Sequence, residues 1–312
     1  MTAKTEKKAV LLLAFGGAES IEDVRPFVEN ILRERMAGRP VPDGMITEIE
    51  ERYELIGGSS PLLEITRAQA CALEDALAKA GDERKVYVGM RYWKPYMKDT
   101  IKDMVADGVT EAVVVIMAPQ TSNAATGGYL TDLTAIVEAE GNPFEVNYVK
   151  SWHAHPLFVE AVKTNIDAAL GRLEVTDSED ILIVFSLHSL PVPSVHKDKY
   201  LLKIAESITA VMDGYDFEWK LSYQSKGGGK FPWLSPATED VLDDAVIEGN
   251  KAVVVVPLGF AADHVETLYD IDILFKDKAK SIGLNYERSA SLNTSPKFIE
   301  MLAEVVIARG DA

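Results

Sequence analysis

The chain has 312 residues, of which 47% are apolar, and its formal net charge at pH 7 is −17. This much apolar sequence can form the cores of two domains, while the negative charge opposes binding to a phosphate backbone and so excludes nucleic acid as the expected partner. The single cysteine, Cys71, excludes an internal disulfide, a cysteine-rich zinc site and a four-cysteine iron–sulfur cluster. We expect Cys71 to be a small buried residue.

The sequence contains no apolar run near the roughly 18 residues that a membrane-spanning helix needs. The apolar run nearest the start, Ala9–Phe15, is also too short for a signal peptide core, and no cleavage site follows it. We therefore expect a soluble, cytoplasmic protein, for which peripheral contact with a membrane stays open.

In chain order, the first half alternates short apolar runs, typical of strands buried on both faces, with longer stretches of helical periodicity. The predicted strands are Ala9–Phe15, Val86–Met90, Ala112–Ala118 and Phe144–Val149. The predicted helices are Ser20–Arg33 with Ser20 as N-cap, Ile46–Leu55, Leu62–Lys79, Thr100–Asp107, Leu130–Glu140 and His153–Arg172.

The charged stretch Glu174–Asp180 is the predicted boundary, which gives domains over residues 1–173 and 174–312. The second half repeats the plan of the first. Its predicted strands are Ile181–Phe185, Trp219–Tyr223, Ala252–Val256 and Asn285–Ala290. Its predicted helices are Tyr200–Asp213, Thr238–Glu248, Val265–Lys280 and Pro296–Arg309, the last expected to pack back on the first domain.

Strands that alternate with helices predict an α/β fold with parallel sheets. We therefore predict two similar, Rossmann-like, doubly wound domains that face a central cleft. The loops after the carboxyl ends of the strands would line this cleft, because ligands of such sheets bind there.

The most informative strand is Ile181–Phe185, because a buried run changes at once to Ser186, His188 and Ser189. A histidine at the carboxyl end of a parallel strand is well placed for chemistry. The alternative is a strand-end histidine whose nitrogens are satisfied by the backbone.

A second candidate is the acidic stretch that follows the strand ending at Val256. Asp263, Glu266 and Asp270 would share one face of an α-helix, and three stacked carboxylates would either face water or meet a cation. His264 and Glu266, two residues apart, would converge only in an extended or widened turn. Arg91 and Tyr92 follow another strand and suit a flat, acidic ligand, although a surface cluster would look the same.

At these residues the sequence resembles the ferrochelatase family. The resemblance runs nearly end to end, in ordered blocks. They are Leu12–Gly17, Tyr53–Leu62, Met90–Pro95, Pro119–Ser122, Ser186–Pro191, Leu221–Lys226, Pro232–Leu234 and Asp263–Tyr269. It implies a chelatase-like fold and insertion of Fe²⁺ into a porphyrin in heme biosynthesis, with iron as a substrate and no resident cofactor. The porphyrin would be coproporphyrin III or protoporphyrin IX.

The resemblance also implies roles for particular residues. His188 and Glu266 would be the facing catalytic pair, and with Asp263 and Asp270 they would handle the metal, while Asp272 would extend the acidic approach. The porphyrin would contact Phe15, Arg91, Tyr92, Tyr129, Ser189 and Trp233. Contact with a membrane or with another enzyme of the heme pathway is compatible with the family.

Two departures from the family pattern affect the metal. Phe15 stands where some relatives carry a tyrosine that can ligate the metal, and Leu274 interrupts the row of carboxylates. The alternatives left open are another tetrapyrrole chelatase, such as one that inserts cobalt into a sirohydrochlorin-type ring, and a tetrapyrrole-binding protein without activity.

Overall fold

A computed structural model describes residues 6–36, 40–228 and 230–310. The described residues form two compact units, each built on a four-stranded sheet in which all neighbouring strands are parallel. Unit 1 holds the described residues within 1–118, 126–152 and 293–312, and unit 2 holds those within 119–125 and 153–292. The predicted α/β fold with two parallel sheets is confirmed, and the predicted central cleft stays a prediction.

The sheet of unit 1 has the strand order β2-β1-β3-β4. Its strands are β1 (Lys8–Ala14), β2 (Lys85–Met90), β3 (Glu111–Ile116) and β4 (Glu145–Tyr148). The helices before β4 are α1 (Ile21–Met36), α2 (Asp43–Leu55), α3 (Leu62–Lys79), α4 (Met97–Ala106) and α5 (Gly127–Ala139). Leu11 and Leu13 of β1 are fully buried with α4 and α5, while α3 packs on β1 and β2. A continuous apolar run is needed here because helices cover both faces.

Unit 2 repeats this strand order, as β6-β5-β7-β8. Its strands are β5 (Ile181–His188), β6 (Glu218–Gln224), β7 (Ala252–Pro257) and β8 (Asn285–Arg288). Its helices are α6 (Pro156–Leu170), the 3₁₀ turn Ser178–Asp180, α7 (Val192–Val195), α8 (Tyr200–Met212), α9 (Thr238–Glu248), the π-helix Thr267–Phe275 and α10 (Lys276–Ser281). Leu182 and Val253 are buried with Leu242 of α9 and with Phe275 of the π-helix.

The last helix, α11 (Pro296–Gly310), belongs to unit 1 and packs against α3, which agrees with the expectation that it returns to the first domain. Its end is fixed by Arg84, whose guanidinium donates to the carbonyl of Val306 over 3.3 Å. The end of the chain therefore contributes to the core of the unit in which the chain begins.

The division between the units differs from the predicted boundary after residue 173. It falls after Trp152, because α6 packs on β7, β8 and α8. Residues 119–125 also belong to unit 2, where the side chain of Gln120 donates to the hydroxyl of Ser207 over 3.3 Å. Charge and turn residues in the sequence mark exposed segments, but they do not report which sheet a helix covers.

Two local predictions differ from the structure. The predicted α-helix Val265–Lys280 is a π-helix over Thr267–Phe275 that continues as the short helix α10. Cys71 is exposed, because α3 buries the face that carries Ala70, Leu73 and Leu77. The expectation of a buried cysteine was therefore wrong. Within the described ranges, no helix is long and apolar enough to cross a membrane.

Candidate active site

His188 is the last residue of β5 and lies at the carboxyl edge of the unit 2 sheet. The seven strand residues before it are buried, whereas the side chain of His188 is 37% exposed. Its Nδ1 donates to the carbonyl of Ser189 over 2.6 Å when that nitrogen carries the proton. This bond directs Nε2 away from the backbone, so the backbone satisfies one nitrogen and leaves the other for chemistry.

Nε2 of His188 lies 3.5 Å from Oε1 of Glu266, the residue that precedes the π-helix. Burial disfavours the charged imidazolium, but the facing Glu266 carboxylate and the bond to Ser189 outweigh burial and raise the pKa of His188 to about 9. At neutral pH the raised pKa favours the imidazolium form of His188, in which Nε2 carries a proton. That proton has to leave before Nε2 can ligate a metal ion.

The turn before the π-helix places the imidazole of His264 against the backbone of Glu266. The backbone N–H of Glu266 donates to Nδ1 of His264 over 3.1 Å, and the imidazole of His264 packs edge-on against Phe260. Burial lowers the pKa of His264, which favours its neutral form. A π-helix closes i→i+5 bonds and often occurs at functional sites.

Asp270, one turn after Glu266, is 4% exposed. Its Oδ2 accepts a short hydrogen bond from the hydroxyl of Ser225 and a longer one, 3.4 Å, from the side-chain amide of Gln224. The carboxylate of Asp270 is therefore held by Gln224, the last residue of β6, and by Ser225, which follows it.

The other two acidic residues of this stretch are bound to Arg288, which the sequence analysis did not single out. Nη1 of Arg288 lies 2.8 Å from Asp263, and its Nε lies 2.8 Å from Asp272. Asp263 also accepts from the hydroxyl of Ser291 over 2.7 Å. The sequence held one signal for Arg288, since it ends β8 at the edge where the other strand-end residues were sought.

Ser189 and Trp233 lie beside this edge, in two segments that pair with each other. The hydroxyl of Ser189, which is buried, donates to the carbonyl of Leu234 over 2.9 Å. Trp233 pairs with Pro191, and its indole lies against Gly227, where a Cβ would come within 2.7 Å of the ring. Ser189 therefore fixes the loop, while Trp233 keeps partial exposure.

The carboxyl edge of the unit 1 sheet gathers the other four predicted ring-binding residues. The rings of Phe15 and Tyr92 have centroids 4.7 Å apart, and Phe15 is 42% exposed. The guanidinium of Arg91 lies 4.8 Å from the ring centroid of Tyr92 and 5.3 Å from that of Tyr129. Its Nε donates to Asp132 over 2.7 Å. Aromatic faces beside a cation suit a flat ring with acidic substituents.

The ferrochelatase family model matches residues 7–309. The chain is 37% identical to the ferrochelatase of Geotalea uraniireducens, over 96% of this chain and 97% of that protein. It is 35% identical to the ferrochelatase of Deinococcus radiodurans, over 98% of both chains. The chain belongs to the ferrochelatase family.

The prediction of a ferrochelatase-type enzyme, a metal chelatase of heme biosynthesis, is confirmed by this membership. Solved structures add the fold. The sirohydrochlorin chelatase SirB of Bacillus subtilis subspecies spizizenii, in complex with cobalt, matches with a TM-score of 0.58 at 11% identity, over 98% of this chain and 96% of that chain. SirB from Bacillus subtilis with Fe³⁺ matches with the same score at 13% identity, over 98% of both chains. At such identities the likeness shows the chelatase fold alone.

The family implies porphyrin and iron as substrates. The positions of the predicted site residues indicate which of them could bind these substrates together. Among the described residues, no three His, Cys, Asp or Glu side chains converge into a ready-made metal site. The structure brings His188 and Glu266 together and places Asp270 close by, but it binds Asp263 to Arg288. The metal and porphyrin roles of these residues stay predictions.

Proposed function

We propose that the chain inserts Fe²⁺ into coproporphyrin III or protoporphyrin IX with release of two protons, and that His188 and Glu266 carry the reaction. The observation that supports this most strongly is the 3.5 Å approach of the imidazole to the carboxylate at the carboxyl edge of a parallel sheet, in a chain of this family. The imidazole and the carboxylate can each accept a proton or bind a metal ion, so the pair offers both functions at one site.

The insertion reaction releases protons that the pair could accept. A free porphyrin carries two pyrrole N–H groups, and both protons leave as Fe²⁺ takes the four nitrogens. Glu266 as carboxylate and His188 as imidazole can each accept a proton or ligate the incoming ion. Because its raised pKa favours the imidazolium form, His188 has to release a proton before it can act as ligand or base.

The remaining residues have supporting roles in this proposal. Asp270 and Asp263 provide negative potential along the approach of Fe²⁺, although Arg288 offsets the charge of Asp263. Phe15, Tyr92 and Trp233 contact ring faces, Ser189 fixes its loop, and Arg91 binds a propionate. Tyr129 is buried in the core of unit 1, so it supports Arg91 rather than contacting the ring. Since phenylalanine has no ligating atom, Phe15 can only pack on the ring. We propose no resident cofactor.

The decisive assay offers Fe²⁺ anaerobically with each porphyrin in turn and follows the metalloporphyrin by absorbance. Turnover with coproporphyrin III alone, or with protoporphyrin IX alone, assigns the ring substrate. Cobalt insertion into a sirohydrochlorin-type ring without iron insertion would instead indicate another chelatase. Tight porphyrin binding with no metal insertion would indicate a binding protein. The cytoplasmic location and the peripheral contacts stay predictions, which cell fractionation tests.

A further inference from the structure

Gln224 contacts both of the chain segments that carry the proposed catalytic pair, although no role was predicted for it. It is the last residue of β6 and is 1% exposed. In the parallel pairing of β5 with β6, Gln224 is the direct neighbour of His188. A buried amide at this position has to satisfy two donor hydrogens and an acceptor oxygen within the protein.

One end of Gln224 contacts the strand that carries His188. Its side-chain Oε1 accepts from the hydroxyl of Ser186 over 2.7 Å. Its main-chain carbonyl accepts from the N–H of Ser189 over 2.8 Å, and the carbonyl of Ser189 binds Nδ1 of His188. Gln224 is therefore two hydrogen bonds from the imidazole.

The other end of Gln224 contacts the segment that carries Glu266. Its Nε2 donates to the main-chain carbonyl of Glu266 over 3.3 Å and to Oδ2 of Asp270 over 3.4 Å. A single side chain thus joins the β5 element, which bears His188, to the segment around the π-helix, which bears Glu266 and Asp270.

We propose that Gln224 is a positioning residue, whose amide sets the separation of the His188 and Glu266 side chains. The inference rests on the proposed function of that pair. A neutral amide suits the task, because it offers an acceptor towards Ser186 and donors towards Glu266 and Asp270 at once. Glutamate would keep the acceptor, lose the donors and add a charge beside Asp270. Methionine would keep the length and lose every side-chain hydrogen bond.

The test compares Gln224→Met and Gln224→Glu with Ser222→Ala. Ser222 is buried in the same strand, donates to the carbonyl of Phe185 over 3.2 Å and shares a hydrogen bond of 3.0 Å with Thr238, which in turn bonds Ser186. It is an apt control because it joins the Ser186 end of this network, whereas only Gln224 also reaches Glu266 and Asp270. All three variants lose buried hydrogen bonds and should unfold at lower temperature. A merely structural role for Gln224 would therefore give the three variants the same kinetic profile.

We expect both Gln224 variants to lower kcat for Fe²⁺ insertion by about 10- to 100-fold, since misplacement by about 1 Å can cost that much. The Kd for porphyrin, measured by fluorescence quenching, should stay within about twofold, because binding does not depend on the pair. Ser222→Ala should keep kcat within about twofold, because removing this hydroxyl lowers the stability of the fold without moving the catalytic pair. Equal kcat in Gln224→Met and in the unaltered protein would overturn the proposal.

A crystal structure of Gln224→Met gives a readout that does not depend on turnover. We expect the distance between Nε2 of His188 and Oε1 of Glu266 to change by more than about 0.5 Å, the tolerance typical of catalytic groups. An unchanged distance would also overturn the proposal. If the unaltered protein inserts no iron, the proposed function fails, and this distance still decides whether Gln224 positions the pair.

Discussion

The two units have the same strand order but present different types of side chain at the carboxyl edges of their sheets. Unit 1 presents Phe15, Tyr92 and Arg91, which are aromatic or cationic. Unit 2 presents His188 and Glu266, whose side-chain types exchange protons and bind metal ions. The same architecture therefore supplies a platform suited to a ring in one unit and a reactive pair in the other. This shows that the fold fixes where side chains meet, while the strand-end residues fix what they do.

Changes at the unit 2 edge should lower the rate of metal insertion at saturating porphyrin, and changes at the unit 1 edge should weaken porphyrin binding. Variants at the two edges therefore separate kcat from the Kd of the ring.

The largest effect is expected for His188→Ala. We predict that the rate of Fe²⁺ insertion falls by a factor of about 10² to 10⁴, the usual contribution of a general base. The Kd for porphyrin should change little. Anaerobic assays of initial rate and a fluorescence titration measure the two quantities on one preparation. Turnover at the unaltered rate would remove His188 from the mechanism.

Glu266→Gln should have the next largest effect, because the amide keeps the size of the side chain but neither accepts a proton nor attracts a cation. We expect kcat to fall roughly 100-fold. A circular dichroism melt serves as the control for folding. A variant with intact kcat would mean that His188 acts without its facing carboxylate.

Gly128→Ala tests the unit 1 edge without altering any proposed ligand. A Cβ at Gly128 would lie 2.2 Å from a guanidinium nitrogen of Arg91, so the guanidinium has to move. We expect the Kd for porphyrin to rise about tenfold, which corresponds to the loss of about one charge-assisted hydrogen bond. Once porphyrin is saturating, kcat should be retained.

Gly44→Ala is the matched control, because Gly44 lies in a helix of the same unit and a Cβ placed there would meet no atom within 4 Å. Its porphyrin affinity should equal that of the unaltered protein. If both glycine variants bind porphyrin normally, Arg91 does not hold the ring.

The smallest effect is expected for Phe15→Tyr. The ring contacts with Tyr92 and Phe27 can persist, and the exposed position accommodates a hydroxyl. We expect the KM for Fe²⁺ to change by less than about threefold, as for a swap that conserves volume. A steady-state titration of Fe²⁺ measures it. A large fall in the KM for Fe²⁺ would show that a hydroxyl at position 15 binds the metal, which would contradict the proposal that His188 and Glu266 handle it.

The sequence predicted the buried strands well, because runs such as Ala252–Val256 leave no solvent face and admit few other interpretations. It also predicted that His188 and Glu266 would meet, through the family resemblance. It did not predict the π-helix, because i→i+5 bonding has no simple sequence period. The predicted stripe of carboxylates does meet a cation at Asp263, but that cation is the side chain of Arg288.

Tertiary contacts explain the other differences. The boundary between the units follows the packing of α6 on β7 and β8, which no local composition reveals. The positioning role proposed for Gln224 depends on hydrogen bonds to residues 38 to 46 positions away in the chain. Such bonds join elements that only the fold brings together.

One measurement tests most directly whether the unit 2 residues carry metal insertion while the unit 1 residues bind the porphyrin. Single-turnover insertion of Fe²⁺, with porphyrin preloaded at saturation, can be timed for His188→Ala and for Arg91→Ala. We predict that the rate constant collapses in the His188 variant and stays near that of the unaltered protein in the Arg91 variant. The opposite pattern, with fast insertion lacking the imidazole and slow insertion lacking the guanidinium, would contradict this account.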